Sequence, residues 1–244
     1  MAYKLSASRP LDIGGFRHHV WQRLPAGSPV HALTRLIRFY GTLLVFMATS
    51  FTARGADMDG LAAQLERQWA KISYQMPVAD QKAAFRQLLQ QAAAVRAQFP
   101  DQALPIAWQG IILCSYAEAT GGLQALDDVK QARDLLLQAK AIDPDVLAGT
   151  IDGYLGTLYY KVPPWPVGFG DRHRSLLYFQ QALAVNPAGI DANLLYGLYL
   201  IDAGSFAEAR AHLTTALQAP VRAGHSEYDT GRRQDIEAAL ARLR

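Results

Sequence analysis

The chain after residue 57 carries a helical mixture of apolar and polar residues, rich in Ala, Leu and Gln. Proline interrupts this mixture repeatedly, and helices end near proline because it lacks the backbone N–H and its ring clashes with the preceding turn. The interrupting residues are Pro77, Pro100, Pro144, Pro187 and Pro220. The pattern predicts an all-α fold, with one helical pair over 57–100 and a longer helical array over 104–244.

One motif recurs three times in this array: a small residue, a large apolar residue four positions later, and an alanine three positions after that. Its copies are Ala132-x3-Leu136-x2-Ala139, Ser175-x3-Phe179-x2-Ala182 and Ala209-x3-Leu213-x2-Ala216. A proline follows each copy, and the last alanines of the second and third copies are 34 residues apart. The spacing indicates an internal repeat of two helices, with the motif on the second helix.

A glycine marks the helix that precedes each copy of the motif. The matching segments are Leu155-Gly156-x2-Tyr159, Tyr196-Gly197-x2-Leu200 and, more weakly, Gln109-Gly110-x2-Leu113. Glycine lets two helix backbones approach closely, and a larger side chain from the partner helix fills the groove beside it. We therefore expect Gly110, Gly156 and Gly197 to lie where the two helices of a pair touch.

These features resemble the tetratricopeptide repeat (TPR), a 34-residue unit of two antiparallel helices. The resemblance implies a right-handed α-solenoid over 104–244, closed by a capping helix, 230–243, whose Arg232 and Arg233 are expected to face solvent. More narrowly, the chain resembles a family of exported bacterial TPR proteins of unknown function. It is similar, more weakly, to the periplasmic T component of TRAP transporters, which implies a role in ligand delivery. The narrower resemblance is carried by GGLQAL (121–126), LGTLYYKVPPWPVGFGD (155–171), NPAGIDANLLYG (186–197) and GRRQDI (231–236).

The segment 161–171, KVPPWPVGFGD, makes its repeat seven residues longer than the TPR pattern. Three prolines restrict its backbone, and Gly168 and Gly170 allow positive φ around Phe169. Two interpretations stay open. Trp165 and Phe169 either form an aromatic wall or lid for a ligand, or they plug the core where the repeat is lengthened. We expect Phe169 to be structural and Trp165 to be more exposed.

The resemblance to TPR proteins also implies a concave face, lined by the first helix of each pair. Counting from the repeat glycines places Thr157, Tyr160 and Lys161 on this face, followed by Asp191 and Leu194 in the next repeat. A mostly apolar lining with a few polar groups suits a helical or apolar segment of another protein, or a small apolar ligand with one polar end. The alternative is that Lys161 and Asp191 are ordinary solvated charges.

The first 56 residues differ from the rest in charge. They hold seven basic residues and one acidic residue, a net charge of +6, which leaves −3 of the total +3 for 57–244. The basic pI of about 9.0 therefore reflects the leader, and the remainder lacks the basic footprint of a nucleic-acid-binding protein.

The same leader contains an uncharged apolar run, 39–53, preceded by Arg35 and Arg38 and followed by a small-x-small site at Gly55. This order is typical of a secretory signal peptide, and the run is shorter than the ~20 residues that span a bilayer. It predicts cleavage near Gly55, a periplasmic location and no stable membrane insertion afterwards. An uncleaved anchor is the alternative, and translation from Met1 or from near Val30 stays open.

Residues 57–244 contain no recognisable catalytic or metal-binding pattern. Their histidines, at 173, 212 and 225, form no H-x3-H or H-E-x2-H motif, and no nucleophile elbow or phosphate loop is present. Cys114 stands alone in an apolar run and is expected to be a small core residue. Asp171 is expected to cap the helix that follows it. The sequence predicts a non-catalytic protein without cofactor or metal that binds another protein, or alternatively a small ligand.

Overall fold

The computed structural model describes residues 57–243, and this part of the chain is all α-helical, as predicted. The predicted leader, 1–56, lies outside the described residues. The helices are α1 (57–75), α2 (Val78–Gln98), α3 (Ala103–Thr120), α4 (Leu126–Ile142), α5 (Thr150–Lys161), α6 (Arg172–Val185), α7 (Ile190–Asp202), α8 (Phe206–Leu217) and α9 (Ser226–Ala241), with a 3-10 turn at Leu123–Ala125. None of these helices is both long enough and apolar enough to cross a membrane.

Several helices begin or end beside the prolines that the sequence analysis uses as helix boundaries. Pro77 immediately precedes α2, while Pro144 and Pro187 come two residues after the ends of α4 and α6. At the start of α6 the Asp171 carboxylate accepts hydrogen bonds from the backbone N–H groups of His173 at 2.9 Å and Arg174 at 3.0 Å. The predicted N-cap is therefore confirmed, and it satisfies donors that a helix start otherwise leaves unpaired.

Consecutive helices pack as pairs, α3 with α4, α5 with α6 and α7 with α8. The repeat glycines lie at the closest contacts of these pairs, as expected. A Cβ at Gly156 would lie 2.8 Å from the Phe179 ring, and one at Gly197 would lie 2.8 Å from Leu213. At Gly110 the corresponding distance to Leu136 is 3.0 Å. No room for a side chain remains at these positions, which explains the recurrent glycine.

The residues of the repeated motif lie in the core, on the buried faces of α4, α6 and α8. Phe179 and the flanking Ser175 and Ala182 are buried, and so are the equivalent residues of α4 and α8. One apolar cluster extends from α1 to α7, and a second joins α7, α8 and α9 around Ile236. The first helices of two neighbouring pairs, α5 and α7, also pack against each other.

The last helix, α9, begins at Ser226, four residues before the predicted start, and packs against α7 and α8. It also contacts α1, because Gly231 lies directly against the Tyr74 ring, where a Cβ would come within 2.0 Å of Cδ2. The first and last described helices are therefore in contact. Helix α9 thus packs against α1 as well as against α7 and α8.

Candidate functional site

One end of the predicted concave face is covered by the chain's own helices. Arg232 of α9 is 6% exposed and lies among side chains from α1, α5 and α7. The expectation that Arg232 faces solvent is wrong, because α9 turns this face towards the other helices. We call the group the Arg232 cluster; its members are Arg232, Asp191, Tyr154, Tyr228 and Trp69.

Hydrogen bonds connect the cluster across three helices. The Arg232 guanidinium donates from Nε to Asp191 Oδ1 at 2.8 Å and from Nη2 to the hydroxyls of Tyr154 at 2.8 Å and Tyr228 at 2.9 Å. The Tyr228 hydroxyl in turn donates to Asp191 Oδ1 at 2.7 Å. Thr150 Oγ1 donates to the other carboxylate oxygen at 3.2 Å. The buried ion pair is therefore satisfied by hydrogen bonds, as a stable buried pair requires.

Aromatic rings enclose the guanidinium of this cluster. Its central carbon lies 4.9 Å from the ring centre of Tyr228 and 5.0 Å from that of Trp69. Both distances are within cation–π range. Burial raises the pKa of Tyr154 to about 12 and also raises that of Tyr228, so both phenols keep their protons and can donate and accept. Through the buried Arg232 side chain, the arrangement joins α9 to α1, α5 and α7.

Two further polar contacts flank the cluster where α9 begins. Arg222, in the segment before α9, pairs with Asp229 at 2.5 Å and lies 3.7 Å from Asp191. His225 Nδ1 lies 2.5 Å from Oε1 of Glu66 in α1. Burial raises the pKa of Glu66, an effect that outweighs the opposing hydrogen bond from His225. These contacts fix the start of α9 against α1 and α7.

The structure separates the predicted binding residues into two groups. Asp191 and Leu194 belong to the covered end: Asp191 is 3% exposed and paired with Arg232, and Leu194 is fully buried. Asp191 is thus not a solvated charge, and neither side chain is accessible to a partner in this structure. Arg233 is also not freely solvated, because its guanidinium donates to the carbonyls of Leu217 and Ala219 at the end of α8.

The second group lies at the open end of the face, where α5 and α7 finish. The Tyr160 and Tyr199 rings meet edge to face with their centres 5.0 Å apart. Lys161 is exposed, and its Nζ lies 2.8 Å from Asp202 Oδ2. Thr157 donates its hydroxyl to the Gly153 carbonyl at 2.9 Å and is only partly buried. These side chains surround a solvent-accessible surface rather than an enclosed pocket.

The loop after α5 is closed by its own backbone hydrogen bonds. The Gly170 N–H donates to the Pro163 carbonyl at 2.9 Å, and the Asp171 N–H donates to the Tyr159 carbonyl at 2.8 Å. Neither Gly168 nor Gly170 uses the positive φ that glycine allows. Glycine is needed there for space: a Cβ at Gly170 would lie 1.9 Å from the Val162 carbonyl oxygen.

This closed loop places its two aromatic side chains in different environments. Trp165 is 85% exposed, whereas Phe169 is half-buried and packs edge to face on Tyr159 with ring centres 5.4 Å apart. The Arg133 guanidinium also packs on the Phe169 ring, with its central carbon 4.4 Å from the ring centre. Phe169 thus has a structural role and Trp165 is the more exposed residue, as the sequence analysis expects.

The surface among the described residues has two small cavities that lie away from Trp165. One, of about 190 Å³, is lined by Tyr74, Ser226 and Gln234, and the other, of about 110 Å³, lies beside Asp191 and Arg222. Sites for drug-sized ligands usually enclose about 300–1,000 Å³. Both cavities are smaller than that range.

The described residues contain no group of three or more His, Cys, Asp or Glu side chains placed to hold a metal ion. Cys114 is partly buried, and burial raises the pKa of its thiol to about 12. A thiol with so high a pKa is a poor nucleophile at neutral pH. Cys114 therefore behaves as the core residue that the sequence predicts.

Sequence reasoning missed the Arg232 cluster. Tyr228, Arg232 and Ile236 are spaced four residues apart, which places them on one face of α9. That spacing could have revealed that the three residues share a face, but two of them are polar, so it does not reveal that the face is buried.

A comparison of the chain with protein-family models finds no match, and neither does a comparison with curated proteins.

Proposed function

We propose that this protein is a non-catalytic, periplasmic TPR-like protein that binds another polypeptide at the open end of its helical array. The binding surface in this proposal consists of Tyr160, Lys161 and the loop 162–171. The observation that carries it is the 85% exposure of Trp165 on a hydrogen-bonded loop. Exposed Trp held at low conformational cost is typical of residues that dominate protein interfaces.

The covered end of the face favours this location. A partner at Asp191 or Leu194 would have to displace α9 and leave the buried Arg232 cluster unpaired, which is costly. The open end requires no such change. The small cavity volumes favour a polypeptide over an enclosed small ligand of the kind that the similarity to transporter T components implies.

The periplasmic part of the proposal depends on the leader sequence. Cleavage near Gly55 would release the helical array from the membrane. Mass spectrometry of the protein isolated from the cell envelope should then find a chain that begins near Ala56. A chain that retains 39–53 would instead support the anchored alternative.

Site-specific crosslinking tests the binding surface. A photoreactive amino acid at Val167, which is 51% exposed and keeps Trp165 intact, should form an adduct with a polypeptide in cells. The same group at Val221, which is 76% exposed and adjoins Arg222 at the covered end of the face, is the control. Loss of the Val167 adduct on Trp165→Ala would support the proposal. Absence of any polypeptide adduct at Val167, or equal adducts at both positions, would refute it.

A further inference from the structure

The first turn of α6 begins directly after the exposed loop and is unusually basic. Its residues Arg172, His173 and Arg174 are all exposed, and no acidic residue lies in this turn. The start of a helix carries partial positive charge, so cationic side chains there are electrostatically unfavourable. The helix dipole therefore does not explain why cations occur at this position, although Arg174 also reaches the Tyr159 hydroxyl at 3.5 Å.

Few carboxylates within the described residues offset this charge. The Arg172 and His173 side chains form no hydrogen bond or ion pair with other described residues. Arg174 lies 3.6 Å from Asp171, whose carboxylate is already used to cap the helix. Lys161, on the other side of the loop, has its own partner in Asp202.

The charge of this stretch also differs from that of the remaining array. Residues 161–174 contain three basic residues and one acidic residue, a net charge of +2, whereas 57–244 as a whole carry −3. The positive stretch coincides with the exposed Trp165. Apolar and cationic groups are thus presented together on one short segment.

We propose that this surface recognises an acidic polypeptide segment, one that places an apolar side chain against Trp165 and carboxylates beside Arg172 and Arg174. The inference rests on the proposed function and specifies its partner class. Guanidinium groups pair with carboxylates in two-pronged geometry, and complementary charge increases both association rate and selectivity. A lipid surface is less well matched, because membrane binding scales with inserted apolar area and this loop exposes mainly one large aromatic residue.

The test uses the full chain with the photoreactive amino acid at Val167. Arg172→Glu/Arg174→Glu should reduce the polypeptide adduct by about tenfold, as expected when complementary charges become repulsive. The matched control is Arg67→Glu/Lys71→Glu, two exposed cations on α1 that change the net charge equally. This control should leave the adduct unchanged. Thermal melting of both variants verifies that each remains folded.

Mass spectrometry then locates the attachment point on the partner. The proposal expects several Asp or Glu residues around that point, and it expects added salt to weaken the adduct. An adduct lost with Trp165→Ala but unaffected by Arg172→Glu/Arg174→Glu would overturn the acidic partner while leaving the proposed function intact. A lipid adduct, or a basic segment at the attachment point, would also overturn it. Absence of a polypeptide adduct would overturn both proposals.

Discussion

Trp165 and Phe169 are four residues apart in the same loop, yet their contributions to stability differ. The Trp165 side chain faces solvent, and the Phe169 ring packs between Tyr159 and Arg133. A plug and a ligand wall are therefore not exclusive alternatives for this loop. Phe169 acts as the plug, and Trp165 is the side chain available for contact.

Single alanine substitutions should separate these two roles. Trp165→Ala should change the free energy of unfolding by less than about 0.5 kcal/mol, as substitutions of exposed side chains usually do. Phe169→Ala should cost roughly 1.5–2.5 kcal/mol, about half the value for a fully buried Phe, because its ring is only half-buried. Chemical denaturation of the two variants measures both values. A larger loss for Trp165→Ala than for Phe169→Ala would contradict the assignment.

Arg232 is the residue whose replacement should destabilise the array most. Arg232→Met would leave the Asp191 carboxylate buried without its main partner, and breaking such pairs costs about 3–5 kcal/mol. In the double variant Arg232→Met/Asp191→Leu no buried charge remains unpaired, so the loss should be clearly smaller than the sum of the two single losses. Additive losses in this double-mutant cycle would show that the ion pair is not coupled.

At the scale of helices, the fold depends on close contacts between paired helices and on the contact between α1 and α9. The repeat glycines allow the first type of contact, and Glu66, Tyr74 and Gly231 take part in the second. The two types of contact respond to different perturbations. Steric overpacking tests the helix pairs, and pH tests the α1–α9 contact.

Leucine at a repeat glycine should open a helix pair. Gly156→Leu and Gly197→Leu should each lower stability by about 1–3 kcal/mol or more, because the new side chain would overlap Phe179 or Leu213. Gly60→Leu, at a helical glycine with no atom near the added Cβ, is the matched control and should cost little. Unchanged melting temperatures for both repeat-glycine variants would mean that the helix pairing described above is wrong.

The pH dependence of stability should report on Glu66. Its pKa in the folded chain is raised above the ordinary 4.5 by burial, so the folded state favours the protonated form. The stabilisation from this group is present below pH 4.5 and is lost as the pH rises through the folded pKa. Wild type should therefore lose stability relative to Glu66→Gln above that pH.

Denaturation curves over a pH series measure this difference. The charged or ionisable groups that act on Glu66 are His225, Arg222 and Asp191, and His225 is the one in direct contact with its carboxylate. A His225→Gln variant serves as the control for the contribution of this contact. A constant difference between wild type and Glu66→Gln, or a difference of opposite sign, would contradict the account.

The helices and the pairing glycines could be predicted from sequence because their signals are local. Proline positions, the Asp171 cap and the repeated small-large-small motif depend on residues within one or two helical turns. The Arg232 cluster could not be predicted, because the burial of a guanidinium depends on partners up to 163 residues away in α1, such as Trp69. Likewise, the need for Gly170 comes from a carbonyl across the loop rather than from its own φ.

At the scale of the whole described array, α9 determines which part of the predicted face remains available. Its Arg232 cluster covers the starts of α5 and α7, and the ends of those helices stay open beside the loop 162–171. Two of the seven predicted binding residues, Asp191 and Leu194, are thereby placed in the interior. Partner binding is expected to depend on the remaining accessible residues.

The most direct test of this account is partner capture by tagged full-length protein from a cell-envelope extract. Three folded proteins are compared: Trp165→Ala, Tyr160→Ala/Lys161→Ala and the control Val221→Ala at the covered end. Wild type and Val221→Ala should capture the same polypeptide, and the first two variants should capture about tenfold less of it or lose it, as loss of an interface hot spot does. Retention of every wild-type partner by both Trp165→Ala and Tyr160→Ala/Lys161→Ala would contradict the claim that the open end of the array is the binding surface.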